Sequence, residues 1–263
     1  MNFNWAPHPP LQGAAVFLSA SVPDPRRDRR FLAGPVDELL MLRVIDQRVF
    51  DAVQCLVAQV LAAGGRIVHG GHPTIIHAIA AQAANWRLEP GIEPPIQLYQ
   101  SEFFRSFPPP PGRREMEEAG FAAVHWTPAT LEGCDSRLQR AWLDAWLPHQ
   151  APSAAPPAMR EALLAMRLQM LLDTQPRLAI CLGGMEGIKA EADLWFDLCS
   201  HGLLNGPQRI AAVVSTFGAT EQLDEERAWR VIDTDSPAEL TEDLFEPVSY
   251  DGLMRDLVAG IQP

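Results

Sequence analysis

Glu191 is the residue with the most chemistry gathered around it. It closes the run Gly183-Gly-Met-Glu-Gly-Ile-Lys-Ala-Glu191, in which Gly183, Gly184 and Gly187 stand ahead of a carboxylate. Leu178 to Leu182 are apolar and follow Pro176-Arg177, the pattern of a buried strand. After the glycines, Ile188, Leu194, Trp195 and Leu198 recur at helical spacing. A strand, a glycine-rich turn carrying Met185 and Glu186, and a helix aim backbone N–H groups and a positive dipole end at one point. Phosphates are favoured there. Glycine suits such a turn because a side chain would block close backbone approach or forbid positive φ. A carboxylate about one turn into the helix is a poor phosphate ligand. It suits ribose hydroxyls, a base, or proton transfer. A tight turn of this kind can also be purely structural, so the rest of the chain has to decide.

The elements that would position this run are legible as alternating strands and helices. Ala14 to Leu18 reads as a strand that enters the small-residue loop Ser19-Ala-Ser-Val-Pro23. Apolar residues from Val36 to Ala63 mark a helix, with a break allowed near Asp46, ending at Gly64-Gly65. Arg66-Ile-Val-His-Gly-Gly-His-Pro73 repeats the theme of strand and glycine pair, with a helix from Thr74 to Asn85. Strands are expected at Ile96–Gln100, Ala122–Trp126, Arg209–Ser215 and Trp229–Asp233, and helices at Ser136–Leu147, Ala158–Leu172 and Tyr250–Ile261. The proline run Phe107–Gly112 reads as a rigid loop, and Gln150–Pro157 as a Pro/Ala linker too short to separate domains. This order predicts an α/β, Rossmann-like, mostly parallel open sheet with helices on both faces. Residues 1–263 are expected to form a single domain with an N-terminal extension at 1–13, an insert at 100–157 and a strand/helix extension at 217–263. Ligands in such sheets bind outside the carboxyl ends of the strands. The loops Ser19–Pro23, Gly70–Thr74 and Gly183–Gly187 all qualify.

Composition narrows the partners. The 263 residues include 47% hydrophobic and 21% charged side chains, which suits a globular protein with an ample core. With 21 basic and 33 acidic residues the net charge is −12. Duplex nucleic acid and anionic membranes want a basic face, so neither is expected as a partner. Cys55, Cys134, Cys181 and Cys199 show no CxxC spacing and are expected as buried free thiols, which implies a reducing cytoplasm. The N-terminus lacks the pattern of a secretory signal, and no apolar run approaches the roughly 20 residues of a bilayer span.

Smaller clusters carry open alternatives. His69, His72 and His77 surround the second glycine loop; packing, a single ligand contact by His72, or a metal site would each use them. No cysteine or carboxylate nearby completes a shell, so no metal and no cofactor are expected. Ser19 and Ser21 could bond phosphate, and no nucleophile elbow surrounds them. Pro25 to Arg30 is a charge cluster, either a solvated loop or a reach toward phosphate. Leu138, Trp142 and Trp146 form a packing stripe. Neither GxGxxG nor GxxxxGK[ST] occurs, which disfavours ordinary nicotinamide-dependent hydride transfer and a P-loop.

Over roughly Ala14 to Ser215 the chain resembles the SLOG superfamily, which includes the lonely-guy phosphoribohydrolases, DNA-processing protein A and nucleotide-sensing domains of bacterial defence. Ser19-Ala-Ser21 stands where lonely-guy enzymes carry a Gly-Ser-Ser-like loop, and Ile67-Val-His-Gly-Gly-His-Pro73 looks like their second signature. Gly183 to Glu191 is similar to their PGGxGTxxE hallmark, and Arg167 lies at the distance of their catalytic arginine. Leu182 replaces the proline, one extra residue precedes Gly187, Ile188 replaces the threonine, and His72 replaces a glycine. These departures make the chain look more like the sensing branch. The resemblance implies a ligand such as an ADP-ribose-type, NAD-derived or cyclic nucleotide signal, held by Ser19, Ser21, Gly70, Gly71, His72, Arg167, Gly183, Gly184, Met185, Glu186, Gly187 and Glu191. It further implies a role in antiphage defence, a homo-oligomer (which Trp142 and Trp146 also suggest) and a partner defence protein. The alternative is an N-glycosidic-bond hydrolase in which Glu191 and Arg167 are catalytic.

Overall fold

The computed structural model describes residues 3–23, 38–132, 138–151, 155–205, 209–223 and 249–261. The arginine cluster at 25–30, Cys134 and the strand expected at 229–233 lie outside them. The strands are β1 (Phe3–Trp5), β2 (Ala15–Ser21), β3 (Arg66–His69), β4 (Trp86–Leu88), β5 (Ile96–Ser101), β6 (Ala122–Thr127), β7 (Leu178–Gly183) and β8 (Arg209–Val213). The α-helices are α1 (Glu38–Ala62), α2 (Ile76–Ala83), α3 (Arg113–Glu118), α4 (Arg140–Trp146), α5 (Pro157–Thr174), α6 (Glu186–Ser200) and α7 (Tyr250–Ala259).

Six strands form one sheet in the order β6-β5-β3-β2-β7-β8, and every pair is parallel. The Rossmann-like α/β architecture expected from the sequence is the one observed. Strand alternation divides the core. Val16, Leu18, Ile67, Leu98, Ile180 and Leu182 pack toward α1, α2 and α7, while Phe17, Val68, Ala179 and Cys181 pack toward α5 and α6. The central strands are apolar on both faces because helices cover both. No helix among the described residues is long and apolar enough to cross a membrane.

Several boundaries differ from the expectation. β2 runs through Ser21, so Ser19 and Ser21 are buried strand residues rather than loop residues. α1 is unbroken at Asp46. α2 starts at Ile76, two residues late, since the turn around Pro73 spends Thr74 on side-chain hydrogen bonds. The small parallel pair β1–β4 and the short helix α3 had no sequence signal strong enough to show. The α4 region is helical over Arg140–Trp146 only, followed by a 3-10 turn at Leu147–His149 that Pro148 opens. Its tryptophans pack as expected: Trp146 Nε1 donates to Asp197 Oδ2 at 2.5 Å, and Trp142 lies 4.0 Å from the His201 ring. Of the cysteines described, Cys181 is buried while Cys55 and Cys199 are half-buried.

Candidate functional site

The chain leaves β2 toward β3, β5 and β6, then crosses back through α5 to place β7 on the other side of β2. The carboxyl ends of β2 and β7 are therefore the switch point of the sheet, where neighbouring strands feed helices on opposite faces. Ser19 pairs in register with Cys181, and Ser21 with Gly183. Ser19 shares the side of Phe17, facing α5 and α6. There its hydroxyl donates to Glu191 Oε2, while Arg167 Nε donates to Glu191 Oε1 at 2.9 Å. The Arg167 and Glu191 side chains are 6% and 14% exposed, so this is a nearly dry ion pair. Glu191 is thus one turn into α6 and turned to the switch point, as its spacing predicts.

Arg167 Nη1 also donates to the Gln150 carbonyl at 2.5 Å and to Gln150 Oε1 at 3.2 Å. Gln150 is 2% exposed. It belongs to the stretch that reads as a linker in the sequence, and only the fold brings it under the guanidinium. Gly187 serves the same group. It sits in the first turn of α6, and a Cβ built there would lie 3.1 Å from Arg167 Nη2. Its role is clearance for Arg167. The neighbouring Cys181 thiol is pushed well above its ordinary range by burial first and by Glu191 second, which keeps it inert.

The glycine turn does not present its amides as the sequence suggests. Gly183 and Gly184 do need positive φ, at 59° and 83°. Yet Gly183 N donates to Thr216 Oγ1 at 2.7 Å and Gly184 N to the Ser21 carbonyl at 2.7 Å. Gly184 O accepts from Ala219 N at 3.0 Å. The turn is thereby clamped between β2 and the segment after β8, and the amides of the two glycines are spent inside the protein. Past the two glycines the loop runs into the first turn of α6, from Met185 to Gly187. Glu186 already places a carboxylate there, which the helix dipole favours. Thr216 was missed in sequence because nothing marks a threonine after a strand as a turn clamp.

Gly70, Gly71 and His72 follow β3 on the other flank of β2. Val22 N donates to Thr74 Oγ1 at 3.0 Å, tying this loop to the end of β2. Gly71 adopts φ 68° and lies against Gln100. His69 is 3% exposed. Its Nδ1 is 2.8 Å from the Leu18 carbonyl, and its Nε2 accepts from His72 N at 3.0 Å. Those partners demand the neutral ring with the proton on Nδ1. His77 is exposed and packs edge-on to Phe50, so the three histidines do not converge. No group of three metal-ligating side chains forms among the described residues.

Burial lowers the His69 pKa, outweighing the Leu18 hydrogen bond and Glu191, which raise it. The unfolded chain, with an ordinary value of about 6.5, takes up that proton first. His69 therefore contributes stability that is full above about pH 6.5 and is lost as pH falls toward the folded value. Urea midpoints measured at about pH 7.5 and about pH 5.5 should fall with acidification in the wild type and fall less in His69→Gln. An equal fall in both proteins would assign the acid sensitivity to other groups.

Two clefts lie away from these loops. One, of about 710 Å³, runs between α4 and α6 and shares Gln150 with the Arg167 site. The other, of about 570 Å³, opens at the amino ends of the strands. At the carboxyl ends Ser19, Arg167, Gln150 and Glu191 are joined by hydrogen bonds.

The model of the SLOG cluster3 family matches residues 46–137 and 152–254. The chain belongs to that family. No protein with a curated description matches it. Membership makes this SLOG cluster3 chain a nucleotide-related Rossmannoid domain. The matched segments carry Gly70 to His72, Arg167, the Gly183 turn and Glu191, and begin beyond Ser19 and Ser21.

Proposed function

We propose that this SLOG cluster3 domain binds a nucleotide-derived ligand at the carboxyl ends of β2 and β7, as a sensor or effector in bacterial antiphage defence. The ligand class is an ADP-ribose-type, NAD-derived or cyclic nucleotide signal. The observation that carries this reading is the Ser19–Glu191–Arg167 junction at the switch point, with the first turn of α6 beside it. In this reading Glu191 and Ser19 hold ribose or base, and Arg167 neutralises phosphate charge that reaches Met185 to Gly187. Ser21, Gly70, Gly71 and His72 form the far wall, and Glu186 excludes ligands whose phosphate would crowd it. Both Glu191 oxygens already accept a hydrogen bond, which holds the carboxylate in one orientation. That favours binding over hydrolysis, where a base must reach water. The alternative remains an N-glycosidic hydrolase with Glu191 and Arg167 as the acting pair. Self-association and a partner defence protein in a cytoplasmic system belong to the same proposal, and the −12 charge argues against nucleic acid.

The test is calorimetric titration of wild type and Gly187→Val with NAD, ADP-ribose, cyclic ADP-ribose and AMP. Wild type should bind at least one NAD-derived species. Gly187→Val should lose that binding, since its side chain would displace the Arg167 guanidinium that Gly187 clears, and circular dichroism of the variant checks that it remains folded. No binding of any of the four by wild type, or equal affinity in the variant, overturns the assignment.

A further inference from the structure

The amino ends of the strands, opposite the site just described, hold a second arrangement of charges. Ala15 of β2 pairs in register with Arg66 of β3, and Arg177 stands one residue ahead of Leu178, whose partner is Val16. Arg66, Ala15 and Arg177 are therefore level with one another and share the α5 side of the sheet. Adjacent strands lie about 4.8 Å apart, so the two guanidinium stems flank a small side chain across roughly 10 Å. All three residues line the cleft of about 570 Å³. Two carboxylates line it as well. Glu93 is bonded to Arg66, and Asp173 lies in the last turn of α5, where the negative end of the helix reinforces it. Two positive and two negative side chains leave the cleft neutral but polarised.

Tyr99 completes the wall. It is 4% exposed and its ring stacks on His125 at 4.7 Å, yet its hydroxyl makes no hydrogen bond among the described residues. Arg66 Nε is also buried without a partner. The Tyr99 hydroxyl itself stays open to the cleft, so a ligand with polar atoms at this position would pair with it. A nucleotide phosphate would meet Glu93 and Asp173, and a simple cation would meet two arginines. A molecule carrying both signs meets neither difficulty.

We propose that this cleft is a second small-molecule site for a zwitterion of the free amino-acid class. Its carboxylate lies toward Arg66 and Arg177, its ammonium toward Asp173 and Glu93, and the Tyr99 hydroxyl bonds one of the two. The cleft falls within the roughly 300–1,000 Å³ usual for small-molecule pockets.

The experiment titrates the full chain with each of the common free amino acids at millimolar concentration, following thermal midpoint and heat of binding. At least one should bind. Tyr99→Phe and Asp173→Asn should each weaken that binding about ten- to hundredfold, the loss expected for a hydrogen bond to a charged group. Glu191→Gln, at the other end of the sheet, should leave it unchanged. Asp173 is exposed, so Asp173→Asn decides the matter even if Tyr99→Phe lowers the ligand-free midpoint. Absence of binding by every amino acid, or affinity unchanged in Asp173→Asn, overturns the proposal. Loss of binding in Glu191→Gln alone would place the ligand at the carboxyl-end site and overturn it equally.

Discussion

Arg167→Ala is expected to destabilise the folded chain by about 3–5 kcal/mol, the usual result of removing one partner from a buried ion pair. Glu191, 14% exposed beside Arg167, would keep the Ser19 hydroxyl as its hydrogen-bond donor among the described residues. The Gln150 carbonyl and Oε1 would lose their donor in the same step. For a chain of this size that loss corresponds to a fall in thermal midpoint of roughly 10 °C. The double substitution Arg167→Met with Glu191→Leu should recover much of the stability, because a dry apolar pair needs no compensation. Calorimetric unfolding of wild type, the single variant and the double variant checks this. A single variant as stable as wild type would mean that the pair is open to water, and the junction could not then hold a ligand in a fixed pose.

Much of this junction could be read before any coordinates, and the reasons are local. Glu191 and the Gly183 turn were legible because a strand, two positive-φ glycines and a helix start are written into consecutive residues. The parallel sheet followed from strand and helix alternation, since each strand is apolar enough to be covered on both faces. Ser19 was placed near the site, but its true setting inside β2 was not, because a small polar residue at a strand end reads as loop. Arg167 came from the family resemblance alone; on α5 it looks like any other helical arginine. Gln150 and Thr216 were invisible for a different reason. Each acts through a contact with a residue distant in sequence, from segments with no periodicity of their own, so only tertiary geometry assigns them. The same holds for the amides of Gly183 and Gly184. Sequence shows that a turn offers donors, and the fold decides that Thr216 and Ser21 take them.

Glu191→Gln separates a sensor from a hydrolase more sharply than any other change. Glutamine keeps the shape, and its two ends can satisfy both neighbours: the carbonyl oxygen accepts from Arg167 Nε, and the amide donates to Ser19, whose hydroxyl turns to accept. The fold should therefore lose far less than in Arg167→Ala. If the carboxylate only accepts hydrogen bonds from a ribose or base, the change should weaken ligand binding by about 1–3 kcal/mol. If it carries a proton or stabilises positive charge during N-glycosidic cleavage, turnover should instead fall by about 10²–10⁴ while affinity is nearly kept. Wild type and variant are incubated with NAD, ADP-ribose, cyclic ADP-ribose and AMP, and binding and free base are followed together by chromatography. The expected result is binding of an NAD-derived species, weakened in the variant, with no release of nicotinamide or adenine by either protein. Base release by wild type that vanishes in Glu191→Gln would instead establish Glu191 as a catalytic group and replace the sensor reading with the hydrolase.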